Sequence, residues 1–237
     1  MSNEINILVI TAASIGFVHT LLGPDHYLPF IMISRARNWG LPRTLVVTIL
    51  CGIGHVFGSV VIGAIGVAAG VAVGKLEALE AIRGDIAAWA LIAFGLAYAA
   101  WGIRRAILKK GHAHTHLTGK FAGVTHIHGQ HASKPHTHAQ AKSPSITPWV
   151  LFIVFVLGPC EPLIPILMYP AAQSSMSGIT IVTLAFALTT LATMSAVVIL
   201  LTYGFSLIPL GKLERYSHAT AGLAIAASGL AIKFLGL

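Results

Sequence analysis

Long uninterrupted runs of apolar residues dominate the chain, in place of the alternating or every-third-residue patterns of soluble strands and helices. Each run has the length that a helix needs to cross the ~30 Å apolar core of a bilayer, about 20 residues. The runs occupy residues 5–34, 44–74, 86–103, 146–170, 176–211 and 216–235. The pattern therefore predicts an all-α, polytopic membrane protein with six transmembrane helices.

The composition excludes a soluble domain and predicts the topology. Of the 237 residues, 56% are hydrophobic and 9% are charged, whereas soluble domains carry roughly 25% charged residues. Basic residues concentrate in alternate connections, at 35–43, 104–142 and 212–215. The connection near 75–85 carries charges of both signs, namely Lys75, Glu77, Glu80, Arg83 and Asp85. The positive-inside rule then predicts a protein of the inner (cytoplasmic) membrane with both termini outside and the long central connection in the cytoplasm.

The formal net charge of +8 comes mostly from the basic residues of these alternate connections. It therefore indicates topology and contact with anionic membrane lipid, and no nucleic-acid partner is expected. The first residues lack the basic segment of a signal peptide, so we expect the first span to be retained. Both cysteines, Cys51 and Cys160, lie in apolar runs, which does not fit a disulfide framework of the secreted kind.

An internal repeat relates the two halves of the chain. The tripeptide Leu-Gly-Pro occurs at 22–24 and again at 157–159, and other matches, such as Val47 with Val182, keep the same spacing of 135 residues. Proline cannot donate the hydrogen bond that continues a helix, and glycine accommodates the bend, so each copy predicts a broken helix. We therefore predict two three-helix repeats, residues 1–103 and 148–237. Because each has an odd number of spans, the second is inverted, as in transporters whose site lies at the midplane.

The segment between the repeats, residues 104–147, has a different composition. It contains no acidic residue and eight of the twelve histidines, among many Gly, Ala, Ser, Thr and Lys residues. Such a segment cannot bury a core, so it is predicted to be a disordered cytoplasmic loop. Neutral imidazole binds nickel, copper and zinc, so the loop is predicted to bind divalent metal as a buffer, sensor or delivery site. The candidate ligands are His112, His114, His116, His126, His128, His131, His136 and His138.

A few ionisable side chains lie inside the predicted spans. Such a group costs about 2.5–3.5 kcal/mol at the centre of a bilayer, so it is usually functional. The candidates are His19, Asp25, His26, His55 and Glu161, together with the thiol of Cys160. Three imidazoles with one or two carboxylates suit Ni²⁺, Co²⁺ or Zn²⁺ better than Mg²⁺ or Ca²⁺, and a thiolate would favour zinc or Cu⁺. These residues predict a metal site within the membrane; core histidines with ordinary partners, or a proton relay, are the alternatives.

Two of these segments resemble a known transporter family. Residues 16–26, with His19 followed by Asp25 and His26, resemble the first-span signature of the urease-accessory-type nickel permeases and, more distantly, the nickel/cobalt transporter family. Residues 51–55, Cys-Gly-Ile-Gly-His, resemble the Gly-His element of a following span of that family. The resemblance implies that His19, Asp25, His26 and His55 bind the metal. The spacing between His19 and Asp25 is one residue longer than in the nickel/cobalt hallmark, and many uptake carriers of that family have more spans.

The second half resembles a different branch of the same broad superfamily. Gly158, Pro159 and Cys160, with Pro162 and Pro165, are similar to the break of the cytochrome-biogenesis thiol-disulfide carriers. Those carriers use one cysteine in each half, whereas Asp25 occupies the equivalent position here. Electron transfer by thiol exchange needs two sulfur atoms that can meet. A thiol carrier, and a metal-binding accessory or sensor protein without transport, remain as alternatives.

The predicted function is transport of a divalent transition-metal cation, nickel or cobalt with zinc as an alternative. The cation would be held between the two halves by the four residues of the resemblance, with Glu161 as ligand or charge partner. The Asp-His signature favours uptake over efflux, and the histidine loop fits either. No phosphate-binding glycine-rich loop occurs, so no ATP hydrolysis, other enzymatic activity or prosthetic group is expected. The expected partners are the metal ion, membrane lipid and a cytoplasmic metal chaperone.

Overall fold

The computed structural model describes residues 2–108, 113–115, 125–127, 147–158, 160, 162–172, 175–206 and 215–235. Within these segments the chain forms eight α-helices, one 3₁₀ turn and two short strands. The helices are α1 (Ser2–Leu22), α2 (Leu28–Ala36), α3 (Leu41–Ala68), α4 (Val73–Leu108), α5 (Thr147–Leu157), α6 (Leu163–Ala172), α7 (Met176–Ser206) and α8 (Ser217–Leu235). The 3₁₀ turn, Pro24–His26, lies between α1 and α2, and the strands β1 (Ala113–Thr115) and β2 (Thr125–Ile127) pair antiparallel.

Five helices of the described segments are long and apolar enough to cross a membrane: α1, α3, α4, α7 and α8. Large apolar side chains project from their outer faces, such as Phe57 and Leu188, which are 64% and 65% exposed. So large an apolar surface is unfavourable in water and favourable in lipid. The chain is therefore a multi-pass helical membrane protein, as predicted.

The predicted span at 146–170 is not one continuous helix. It forms α5, of 11 residues, and α6, of 10 residues, on either side of the second Leu-Gly-Pro sequence. Each is too short to cross a bilayer alone, because about 20 helical residues are needed. The first Leu-Gly-Pro sequence also ends a helix, since α1 stops at Leu22 and α2 begins at Leu28.

Helix α4 is longer than the sequence pattern predicts. It has 36 residues and includes the charged segment 75–85 as well as the first residues of the predicted central loop. Glu80, which the sequence places in a connection between helices, lies instead within α4, and its side chain is fully buried. The reason is local: Leu76, Glu80, Gly84 and Ala87 share one buried face of α4, and Arg83 pairs with the Glu80 carboxylate one turn away.

Three helix boundaries of the first half recur at one spacing in the second half. α2 begins at residue 28 and α6 at 163, α3 begins at 41 and α7 at 176, and α1 and α5 end at 22 and 157, so each pair is 135 residues apart. The helices that pack most extensively are α4 with α8, α1 with α7, α3 with α5, α3 with α7, and α2 with α8. Exchanging every helix for its equivalent in the other half leaves the first four of these pairs unchanged as a set, whereas the counterpart of α2 with α8, which is α6 with α4, packs much less extensively.

Glycines bring the backbones of α4 and α8 into contact. A Cβ atom on Gly102 would lie 2.5 Å from the amide nitrogen of Ala219, and one on Gly229 would lie 3.0 Å from the carbonyl oxygen of Ala88. At Gly222 a Cβ atom would collide with the backbone of Gly95 and Ala99. The two helices can approach this closely only because these positions carry no side chain.

Replacing Gly222 with valine is expected to lower the free energy of unfolding by about 1–3 kcal/mol or more, because the added atoms force the two backbones apart. Reversible unfolding in detergent measures the change. Gly204→Val is the matched control, since within the described segments no atom lies within 4 Å of a Cβ atom at that position of α7. Equal destabilisation by both substitutions would contradict the packing explanation.

Candidate metal centre

Three histidines from separate elements converge inside the protein. His19 lies in the last turn of α1, His26 ends the 3₁₀ turn, and His55 lies near the middle of the 28-residue α3. In a continuous helix His19 and His26 would be separated by about 10 Å along the axis. Their ring centroids are instead 4.9 Å apart, because the chain bends after Leu22. The break in the helix therefore creates the pair.

His55 completes a compact group with these two residues. Its ring centroid lies 5.1 Å from that of His26 and 6.5 Å from that of His19. One ring nitrogen from each histidine lies within 4.8 Å of those from the other two. The side chains of His26 and His55 are 2% and 1% exposed. Among the described residues this is the one group of His, Cys, Asp or Glu side chains spaced closely enough to hold an ion.

Hydrogen bonds at Nδ1 determine how two of the rings present their other nitrogen. The Nδ1 atom of His26 lies 3.2 Å from the carbonyl oxygen of Gly23 and 3.1 Å from Oδ1 of Asp25. The Nδ1 atom of His55 lies 3.2 Å from the carbonyl oxygen of Phe155. Because these partners are acceptors, each neutral ring carries its proton at Nδ1, and its lone pair is at Nε2.

The Nε2 atoms of all three rings are buried and, in the part of the chain that the structure describes, have no hydrogen-bond partner. An unsatisfied buried polar atom costs about 1–3 kcal/mol, so three of them together need an explanation. A bound metal ion would explain them, because a metal bonds to the lone pair of a histidine whose other ring nitrogen donates to a carbonyl or carboxylate oxygen. A tetrahedral ion with bonds of about 2.1 Å sets its ligands about 3.4 Å apart, so the group needs a small contraction to bind one.

Asp25 is the charged partner of this group. Its carboxylate accepts the hydrogen bond from Nδ1 of His26, and its side chain is 22% exposed. This contact is on the side of the His26 ring opposite the free nitrogen, so the carboxylate orients the ring and balances positive charge near it. Direct ligation by Asp25, which the sequence predicts, stays a prediction.

A small cavity adjoins the histidines. It is lined by Asp25 and His55, by Gly158 and Phe155 of the second half, and by small residues of α4 that include Gly84. Side chains from both halves of the chain therefore meet around the same space. This is the interface at which the repeat predicts a binding site.

The remaining predicted ligands lie elsewhere or outside the described residues. Cys160 is fully buried, and its side chain belongs to an apolar cluster with Leu163 and Phe186. Glu161 lies outside the described residues. Of the loop histidines, His114 and His126 occupy paired positions of β1 and β2, which the sequence did not predict. The other six also lie outside the described residues.

A buried polar network next to the second break was missed by the sequence analysis. It consists of Ser59, Glu80 and Arg83, which we call the Glu80 network. Ser59 Oγ donates to Glu80 Oε2 over 2.8 Å, and Arg83 forms an ion pair with Glu80. Leu76, Glu80 and Gly84 follow one another at four-residue intervals, which places them on one face of a helix. This spacing could have indicated that Glu80 is buried, but it does not show when only uncharged runs are considered.

The described residues thus contain two buried polar features at the interface between the halves. One is the group formed by His19, His26 and His55, and the other is the Glu80 network. Comparison of the chain with models of protein families, with curated proteins and with solved structures finds no match.

Proposed function

We propose that the protein transports a divalent transition-metal cation across the membrane and that His19, His26 and His55 bind the cation on its way. The observation that carries the proposal is the group of three buried Nε2 atoms without partners among the described residues. A soluble enzyme could use such a group as a resident metal site. In a chain made of membrane-length apolar helices, a buried ion site between two halves is better suited to transport.

The donor set favours nickel or cobalt, with zinc as the alternative. Imidazole nitrogen is a borderline ligand that binds these ions well, whereas Mg²⁺ and Ca²⁺ prefer oxygen. The carboxylate of Asp25, and that of Glu161 if it approaches, would offset the charge of an ion taken out of water. We propose uptake as the direction, with the histidine-rich segment as a cytoplasmic receiver of the imported metal.

The proposed architecture is six spans arranged as two inverted repeats. Three helix boundaries that recur 135 residues apart support it. So do the contacts of α1 with α7, α3 with α5, α3 with α7 and α4 with α8, which remain the same set when the halves are exchanged. In this arrangement α5 and α6 together form the span that is missing from the five long helices. Rocking of one half against the other would expose the histidines alternately to the two sides.

Transport by purified protein in liposomes tests the proposal. The full-length chain, with the eight loop histidines replaced by glutamine, is reconstituted and supplied with Ni²⁺, Co²⁺ or Zn²⁺ in turn. We expect saturable uptake of at least one of these ions. If the protein binds metal but moves none of them, it is an accessory or sensor protein instead.

The same assay separates metal transport from thiol exchange. Cys51 and Cys160 are both reduced and belong to two different buried clusters. A thiol carrier must bring two sulfur atoms into contact. The Cys51→Ala/Cys160→Ala variant is therefore expected to retain ion uptake. Abolished uptake would make a cysteine part of the metal pathway, and a wild-type protein that exchanges thiols but moves no ion would favour the thiol mechanism.

Cation affinity is expected to fall as the pH falls. Imidazole binds metal only when its nitrogen is unprotonated, and the ordinary pKa of histidine is about 6.5. Protons therefore compete with the metal on the acid side, and we expect Co²⁺ affinity to drop at least about tenfold between about pH 7.5 and about pH 5.5. Calorimetry on the loop-substituted chain measures this. An affinity that rises as the pH falls would contradict histidine ligands.

A further inference from the structure

The Glu80 network holds a carboxylate and a guanidinium inside the protein. The side chains of Glu80 and Ser59 are fully buried, and that of Arg83 is 12% exposed. Burying such a pair costs roughly as much desolvation free energy as the attraction returns, so it is not an efficient way to stabilise a fold. Its contacts indicate another role.

All three members of the network contact the second break. The backbone N–H of Cys160 donates to Glu80 Oε2 and to Ser59 Oγ, each over 3.1 Å. Arg83 donates to the carbonyl oxygens of Val156, at 2.8 Å, and Gly158, at 3.3 Å. These backbone groups lie where α5 ends, so they cannot all be satisfied within a helix. Side chains of the first half therefore fix the backbone of the second.

The backbone held in this way is also the backbone that touches His55. Phe155, whose carbonyl oxygen accepts from His55 Nδ1, directly precedes Val156. A Cβ atom on Gly158 would lie 3.1 Å from the same Nδ1 atom, so this residue also packs against the ring. A shift of the α5 terminus would therefore remove the acceptor that keeps the His55 proton at Nδ1.

We propose that the Glu80 network is a positioning device for the cation site. It holds the end of α5 so that Phe155 fixes His55 with its proton at Nδ1 and its Nε2 lone pair available to the ion. Ser59, Glu80 and Arg83 do not touch the ion. This inference rests on the proposed function and adds three residues that determine the geometry of the site from outside it.

The test uses the full-length chain with the loop histidines replaced by glutamine, labelled with ¹⁵N in histidine. Ring ¹⁵N shifts distinguish the two neutral tautomers, and a His55→Gln sample assigns the signal. The variant is Glu80→Ala/Arg83→Ala, which removes both charges and so leaves no unpaired buried ion. The matched control is Asp85→Ala/Lys233→Ala, which removes an exposed ion pair between α4 and α8.

We expect the wild-type His55 signal to be that of the Nδ1–H tautomer and to become a mixture in the Glu80/Arg83 variant. Co²⁺ affinity should fall about tenfold, as for loss of other groups that orient a metal-bound histidine. The control should change neither. A folded variant with an unaltered His55 signal, or with unaltered Co²⁺ affinity, would reduce the network to a structural role and overturn the inference.

Two further results keep the inference separate from the proposed function. If the wild-type protein binds no Co²⁺, the proposed function fails, and the His55 tautomer alone decides whether the network positions the ring. If the double variant does not fold, Arg83→Lys replaces it. One ammonium keeps the charge but cannot hold Glu80 and both carbonyl oxygens in the fixed geometry of a guanidinium. The His55 signal should then shift partly, and an unchanged signal would again overturn the inference.

Discussion

Replacing His26 with alanine is expected to abolish stoichiometric binding of Ni²⁺ or Co²⁺ by the full-length chain whose loop histidines are replaced by glutamine. His26 lies closest to both other rings, and its Nδ1 is held by Gly23 and Asp25. Loss of a group that merely orients a ligand costs about 10–100-fold in affinity, so loss of this ligand should cost more than about 100-fold. Equilibrium dialysis with metal analysis measures the change.

His218→Ala is the matched control for this experiment. His218 is the one histidine outside both the three-histidine group and the loop. Its Nδ1 atom lies 2.8 Å from the hydroxyl of Tyr98, and its ring also contacts Arg105, between α4 and α8. We expect His218→Ala to bind metal as the parent chain does. Equal loss in both variants, or full retention in His26→Ala, would show that the ion binds elsewhere.

Glu80→Ala alone is expected to destabilise the protein by about 3–5 kcal/mol, because it leaves the Arg83 guanidinium in the interior without its counter-ion. The substitution also removes acceptors for Ser59 and for the N–H of Cys160. Reversible unfolding in detergent micelles measures the loss. The double variant Glu80→Ala/Arg83→Ala should be less destabilised than the single one, since it leaves no charge unpaired.

Asp85→Ala provides the comparison for a charge on the same helix. Asp85 pairs with Lys233 at 2.6 Å, but its side chain is 60% exposed. Exposed ion pairs contribute about 0–1 kcal/mol, so little stability should be lost. If Glu80→Ala and Asp85→Ala proved equally mild, the interior near Glu80 would have to be accessible to water.

The sequence was sufficient to predict the features that depend on long runs and on proline. Five of the six apolar runs contain a helix long enough to cross a bilayer, and both Leu-Gly-Pro sequences end a helix where expected. It also identified His19, His26 and His55 as candidates that belong together, because polar groups within apolar runs are few. These are properties of composition and local backbone chemistry, which do not depend on packing partners.

The features that were missed depend on contacts between distant segments. The sequence places Glu80 among the charged residues of a connection. Its burial could not be predicted, because it depends on contacts with Arg83 and with the backbone N–H of Cys160. The role of Asp25 as hydrogen-bond partner of His26 depends on the bend after Leu22.

The pairing of helices across the two halves also constrains how the protein is made. α1, α3 and α4 have their main partners in α5, α7 and α8, and contacts within the first half are sparse. A ribosome completes the first half before any of these partners exists. The newly inserted first half should therefore remain loosely associated in the bilayer, with Glu80 and Arg83 lacking the backbone groups that they bind in the finished protein. Assembly is expected to begin when α5 enters, so a chain truncated after α4 should be a substrate for membrane quality control.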